Sequence, residues 1–408
     1  MRQFFFLLMA FASASALTLD EAVALALLNP AKRIDAEAAR DAANQRENSA
    51  IAVFLPTIGA SQTRNDRDIK TQAASETTRY FASLNLFSGF GDFANWSAAR
   101  NTKEARSHEL KAARSDVILA AKSAYFNYFK ALDTMKSAEE NMRAIKKQSD
   151  DAEAFLGQGL IGAFERHQIA LEALQSEQTA MKARSDLAVA LKSLETTIGA
   201  AIAGDLTPPD EAASGDLNAS EHNALFDVML KNRSELKSLA AQIEAQKSQK
   251  TRAFAPALPS VDIQIAREKF EYDDGFQGQR EQTTTMLTLT WQLPGLIKPY
   301  FDREAAFYEQ KILESRFADL KKTLALQLTT SLERADLAFR AFVVAEESLK
   351  LAEENLRIVQ NRFNERIASA SDLLDADAAL WRAREQRTLY YYDKLLAIAE
   401  LSRVLEKE

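Results

Sequence analysis

Two stretches of about 65 residues, Gly91–Phe155 and Tyr300–Ile367, contain no proline, and no glycine after Gly91 itself. At a rise of 1.5 Å per residue, each would form a single helix ~100 Å long. No single globular core encloses such a helix, so it must lie along other helices for most of its length. The apolar spacing points the same way. Leu349, Ala352, Leu356, Val359 and Phe363 step by three and four, which makes a heptad seam. Leu324, Leu328, Leu332, Ala335 and Phe339 predict a similar stripe earlier in the same helix. With only 12 glycines and 8 prolines in 408 residues, the chain has few places to turn. Each long stretch runs into a break: Leu156–Gly162, rich in glycine, and Arg366–Ser371, which has none. Returning helices are predicted over Phe164–Thr197 and Asp372–Glu406, giving two long helical hairpins.

The chain also repeats itself. Asn29-Pro30 recurs as Asn232-Arg233, and Leu55-Pro56 as Leu258-Pro259, both at an offset of 203 positions. The same offset relates Ala50 to Ala253, Ile58 to Val261, Leu84 to Leu287 and Leu86 to Leu289. A fixed spacing of this kind marks an internal duplication. The organisation read from it is a leader at 1–16, a first repeat at 17–204, a linker at 205–219 and a second repeat at 220–408. Each repeat opens with a helix, Thr18–Val53 or roughly Ser220–Phe254, that ends at Leu-Pro. Thr18 and Glu21 have the spacing of a capping box.

Two strand-like segments follow in each half. Ile58, then Tyr80, Ala82, Leu84 and Leu86, alternate with Thr57, Ser83 and Asn85; Val261, Ile263, Leu287, Leu289 and Trp291 alternate with Asp262, Gln264, Thr288 and Thr290. One apolar and one polar face suits lipid on one side and water on the other, and equally a half-buried soluble sheet. Four strands cannot close a barrel, so a barrel would need strands from further copies. Polar loops, Arg64–Glu76 and Glu268–Gln282, join the paired strands. The expected fold is mainly α with a small β part.

Arg2, the apolar run Phe4–Ala12 and the small residues Ser13–Ala16 have the layout of a secretory signal peptide. The chain has no cysteine, so neither a disulfide nor a lipidated cysteine holds it. No segment has the ~18 consecutive apolar residues of a transmembrane helix. A net charge of −7 argues against binding nucleic acid. His108, His167 and His222 lack ligand spacing, so neither a metal nor another cofactor is expected. Gly89-Phe90-Gly91 reads as a strand-to-helix turn rather than a phosphate loop. No residue constellation suggests an enzyme.

Leu17-Thr18-Leu19-Asp20-Glu21-Ala22, Asn29-Pro30, Leu55-Pro56 and Leu86-Phe87-Ser88-Gly89, in this order and with their duplicated layout, resemble the TolC family of outer-membrane efflux proteins. The resemblance covers about Leu17 to Val404. It implies a homotrimer whose 12 strands, four from each copy, form one transmembrane barrel in outer-membrane lipid. It also implies helices that extend through the periplasm to meet a periplasmic adaptor (membrane fusion) protein and an inner-membrane pump. The function implied is a passive exit duct of a tripartite efflux or type I secretion system. Asp372-Leu373-Leu374-Asp375 is similar to the family's segment whose aspartates ring the inner mouth, which makes Asp372 and Asp375 a cation-attracting gate. Crowded like charges there would raise one another's pKa. On the residues alone, Asp372 reads equally as the N-cap of a helix and Asp375 as a first-turn acid. Gly159, Leu160 and Ile161 resemble the adaptor-docking tip, with Arg366 where the second tip usually carries glycine. Phe363 replaces the usual tyrosine, and Glu165 could pair with Arg366 as a latch. A different reading of the same heptads is a soluble periplasmic coiled-coil adaptor or scaffold.

Overall fold

The computed structural model describes residues 17–29, 34–65, 75–159, 161–202, 204–209, 222–272, 281–292, 297–365 and 367–406. The leader at 1–16, Leu160, Arg366, Ser220, and most of the two strand loops and the linker lie outside the described residues.

In chain order the elements are α1 (Leu19–Leu28), α2 (Ile34–Ala52), β1 (Thr57–Asn65), β2 (Ser75–Ser88), α3 (Gly91–Gly157) and α4 (Ala163–Ile198). Then follow α5 (His222–Asn232), α6 (Ser234–Phe254), β3 (Ser260–Tyr272), β4 (Glu281–Thr290), α7 (Ile297–Asn364) and α8 (Ala370–Leu405). The long helices α3 and α7 have 67 and 68 residues, and each is followed by a 36-residue return. Among the described residues, no helix is long and apolar enough to cross a membrane.

Three expectations need correction. The opening helix of each half is two helices. Asn29 is extended (φ −67, ψ 115), as a residue before proline must be, and its side chain donates to the carbonyls of Thr196 and Thr197. In the second half the chain breaks at Arg233, with no proline involved. Helix α7 ends at Asn364 rather than Ile367, because Ser369 and Asp372 claim the next start as a capping box. Phe339 is exposed, and the buried stripe on α7 runs through Leu324, Leu328, Ser331, Ala335, Phe342 and Ala345. That stripe continues in heptad steps into Leu349, Ala352, Leu356, Val359 and Phe363, each half-buried. The two predicted stripes are one seam.

Two compact units can be distinguished, and both draw on both halves of the sequence. The first comprises residues up to 34, 113–233 and 323–408. Its core joins Ala22 of α1, Tyr125, Phe126 and Phe129 of α3, and Leu194 and Ile198 of α4. Phe342 of α7 and Tyr391, Tyr392 and Leu395 of α8 complete it. Burying each large apolar side chain is worth about 1.5–3 kcal/mol. Buried tyrosines need partners for their hydroxyls. Tyr125 shares its proton between the carbonyls of Leu17 at 3.0 Å and Thr207 at 2.5 Å, and burial pushes its pKa up to about 12. It thereby fixes the parallel bridge between Leu17 and Leu206. Tyr392 donates to Asp133 at 2.6 Å, and burial, followed by that carboxylate, raises its pKa.

Within this unit the ends of both return helices are sealed. Gly199 caps α4 in the left-handed region (φ +78). A Cβ there would also come within 2.6 Å of the Asn29 side chain, so only glycine satisfies both demands. At the end of α8, the buried Arg233 donates through Nη1 to the carbonyls of Arg403 at 2.7 Å and Val404 at 3.2 Å.

The second unit, residues 35–112 and 234–322, holds a four-stranded antiparallel sheet in the order β1-β2-β3-β4, with α2, α6 and the near ends of α3 and α7. Its central pair, β2 and β3, joins residues far apart in sequence, from Ser75↔Tyr272 to Ser88↔Ser260, with a bulge between Asn85 and Phe87.

Candidate functional site

The register sorts the strand side chains onto two faces, because successive residues of a strand alternate. Ile58 pairs with Ala82, Leu84 with Ile263, Ile263 with Leu287, and Val261 with Leu289; Tyr80 lies on the same face two residues from Ala82. Seven of the nine residues expected on the apolar face are therefore brought together. Leu86 falls in the bulge, and Trp291 lies one residue beyond β4, with its Nε1 donating to the carbonyl of Ala257 at 3.2 Å. Toward the loop end this face becomes charged: Arg267 pairs with Glu281 at 2.7 Å and Lys269 with Glu271 at 2.9 Å.

The opposite face is mainly polar, with Phe81, Ala266 and Met286 among its residues, and it is cross-linked. Asn85 donates to Asp262 at 2.9 Å, Arg79 to Gln264 at 2.8 Å, and Gln282 to Glu268 at 2.7 Å. These side chains satisfy one another without a covering core, as water-facing groups do. Among the described residues, β1 and β4 each pair on one side only, so the sheet has two open edges.

The first unit carries the hairpin turns. Between α3 and α4, Gly159 takes the left-handed conformation (φ +66), and Glu165 accepts the backbone N–H of Gly162 at 3.0 Å. Ile161 turns inward, packing with Ala152, Ile169, Phe363 and Leu374. Among the described residues, Phe164 and Ile367 are exposed apolar side chains beside the turns, and neither belongs to a glycine-aliphatic motif.

Asp372 and Asp375 are both exposed and lie three apart on α8, hence on one face. Ser369, not Asp372, is the N-cap of α8; Asp372 closes the capping box, its Oδ2 accepting from the backbone N–H and the hydroxyl of Ser369, both at 2.8 Å. Those bonds hold its carboxyl below the usual range. Within one chain, capping thus dominates over like-charge crowding. Near the same end, a cleft of about 450 Å³ opens between the hairpins, lined in part by Phe155, Ile161, Phe363, Leu374 and Trp381. In it Gln148 donates to Asp377, whose pKa burial raises. Neither residue had any signal in the sequence. Among the described residues, no cluster of histidine and acidic side chains could hold a metal ion.

Two-faced strands with open edges in one unit and long helical hairpins in the other describe an architecture, and comparison with known proteins supplies its family. The profile for outer membrane efflux proteins matches residues 25–200 and 225–406, which is most of both halves. The chain belongs to this family. A comparison with curated proteins by sequence gives no match. Among solved structures, the fold resembles that of CusC, described in connection with folding and transmembrane channel formation, at 15% identity and a TM-score of 0.85, covering 95% of this chain and 91% of that one. It also resembles the Campylobacter jejuni CmeC outer membrane channel (16% identity, TM-score 0.82, 95% and 85% covered). The open state of the Neisseria gonorrhoeae MtrE outer membrane channel is equally similar (16%, 0.82, 95% and 88%). As an outer membrane efflux protein the chain is a channel of the outer membrane reaching into the periplasm, and its family is one of conduits rather than enzymes. These matches favour the channel over the adaptor reading.

Proposed function

We propose that three copies of this chain form the exit duct of a tripartite efflux or type I secretion system, pooling four strands each into a 12-stranded barrel. The observation that carries this reading is the sheet: one apolar face, one hydrogen-bonded polar face, and two open edges. Ile58, Tyr80, Leu84, Leu86, Val261, Ile263, Leu287, Leu289 and Trp291 face lipid, and the opposite face lines water. Edge β4 of one copy pairs with β1 of the next, which removes both open edges. The aromatic residues that follow the strands, including Phe90, Phe93, Tyr300 and Phe301, are exposed, as befits an interfacial girdle.

The helices support assembly too. On α7, Leu337, Val344 and Leu351 are 68%, 66% and 65% exposed and recur every seven residues, with Ile358 next in line. On α4, Leu171, Leu174, Met181 and Val189 are likewise exposed. A second heptad stripe left bare in one chain fits a helix of a neighbouring copy. Substituting Val344→Asp and Leu351→Asp should therefore abolish trimers while leaving the chain helical. Membrane-embedded trimers persisting in that double variant would count against the assembly.

In this reading residues 1–16 direct export, the two repeats are 17–204 and 220–408, and the hairpin ends face inward. Gly159, Leu160, Ile161 and Arg366, with the exposed Phe164 and Ile367 beside them, form the tip that meets a periplasmic adaptor and its inner-membrane pump. Leu160→Asp should stop export without dissociating trimers. Asp372 and Asp375 ring the mouth, six carboxylates in all, and attract cations. Asp372→Ala with Asp375→Ala should raise single-channel conductance and weaken block by multivalent cations. Unchanged conductance and block would remove both from that role.

A further inference from the structure

The barrel strands carry a feature that a plain water-lined wall does not need. Ser61, Arg79, Glu268 and Gln282 pair across all four strands in one continuous row on the polar face. Arg79 donates from Nη2 to Gln264 Oε1 at 2.8 Å, and its Nε lies 3.4 Å from Glu268 Oε1. Gln282 holds the other oxygen, Oε2, at 2.7 Å. Beneath the guanidinium, 5.6 Å from its carbon, lies the ring of Phe81. That ring rests on Gly59, where a Cβ would fall 2.4 Å from it. A missing side chain on β1 thus leaves room for an aromatic ring, which lies beside an arginine already held by polar groups. An exposed arginine normally samples many rotamers and gives a diffuse charge. This one is fixed.

The charge on this face is small and uneven. Among the described residues of the four strands, its charged side chains are Arg79, Glu268 and Asp262, leaving one net negative charge per copy and three in a trimer. Asp262 receives only a neutral amide, from Asn85, so its charge is not cancelled locally. The other charged strand residues, such as Arg267, Lys269 and Glu281, occupy the opposite face near the loops.

We infer that the fixed charges of the barrel lumen, the Arg79–Glu268 row and Asp262 six residues from it along β3, favour inorganic cations over anions, and that Arg79 sets the limit on that preference. This rests on the reading of the polar face as the lumen. In a water-filled lumen, permeating ions sense the sum of the fixed charges on its wall. Each unit charge about 10 Å away in a watery lumen changes an ion's energy enough to alter permeability about twofold.

Purified full-length trimers in planar bilayers, held under a potassium chloride gradient, test this through the potassium-to-chloride permeability ratio. Arg79→Gln should raise the ratio, and Glu268→Gln and Asp262→Asn should each lower it, by about twofold or more for three copies. Arg79→Lys keeps the charge and should leave the ratio near its starting value, even where lost stacking lowers thermal stability. A ratio indifferent to Arg79→Gln, Glu268→Gln and Asp262→Asn would overturn the inference and leave the row as a staple of the sheet. Where Arg79→Gln fails to assemble, Asp262→Asn, three same-face positions along β3, decides the matter. Because the chain has no cysteine, the lumen reading can be tested separately. Ser61→Cys should react with a charged, water-soluble thiol reagent and lose conductance, whereas Leu287→Cys should not. The reverse pattern would sink the lumen itself; the expected pattern with an unmoved ratio would sink only the charge selectivity.

Discussion

The two helical hairpins reach the same design by different chemistry. At its root, α4 ends on Gly199 in the left-handed region, and its last carbonyls receive the amide of Asn29. Helix α8 ends on Glu406, also left-handed (φ 45), and its last carbonyls receive the guanidinium of Arg233. At their tips, the first hairpin turns on glycines and ties Gly162 to Glu165, whereas the second turns without glycine and relies on the Ser369–Asp372 capping box. A helix end has the same orphan groups whatever the sequence, so the requirement persists while the residue meeting it changes. The duplication is accordingly strong in helix length and faint in the identity of its caps.

This equivalence can be broken at the roots. Arg233→Ala should be the most damaging change, because it strips charged donors from two carbonyls in a buried setting. A loss of about 2–4 kcal/mol is expected, read as faster hydrogen exchange at the end of α8. Gly199→Ala should cost about 1–2 kcal/mol at the end of α4, from left-handed strain alone, and more if Asn29 cannot move aside. If Arg233→Ala proved milder than Gly199→Ala, the guanidinium would not be the counterpart of the first root's seal.

The tips sharpen the contrast. Ser369→Ala should weaken the start of α8 by about 1 kcal/mol. It should also let the carboxyl of Asp372 titrate closer to its ordinary value, measurable by NMR. With that carboxyl held low in the folded chain, its stabilising effect is full above the unfolded pKa and fades as pH falls through the folded one. Asp377 behaves oppositely. Burial raises its pKa, so the packing it joins is strongest below the unfolded value and weakens as pH rises through the folded one. Asp377→Asn should therefore stabilise the chain near pH 7, with the smallest of these effects, and the gain should vanish in acid. A gain that persisted at pH 3 would mean that ionisation is not the cause.

How far the fold was legible varied by element. The long helices were plain because proline and glycine are absent from them, and the strand faces because alternation places Leu84 opposite Ile263 and Val261 opposite Leu289. The break at Arg233 has no proline to mark it; only its repeat position, 203 residues after Pro30, points to it, and the distant carbonyls of Arg403 and Val404 hold Arg233 there. The sequence does not separate Phe339 from Phe342 on the α7 seam, because both fit an apolar stripe, and the packing of Tyr391 against Phe342 selects the latter. Of the candidate site, the apolar face was largely read, whereas the polar row through Arg79 and Glu268, and the Gln148–Asp377 contact, passed unnoticed.

The sequence alone determined the parts with a local cause: helix lengths, strand alternation, the Thr18–Glu21 capping box and the duplicated order. Periodicity and turn chemistry act over a few residues, so they can be read along the chain. Tertiary structure alone decided which groups meet across hundreds of positions: Arg79 over Phe81 and Gly59 beside Glu268, and Arg233 at the end of α8. Such contacts depend on register and on orphaned polar groups that exist only once the helices and strands have been placed side by side.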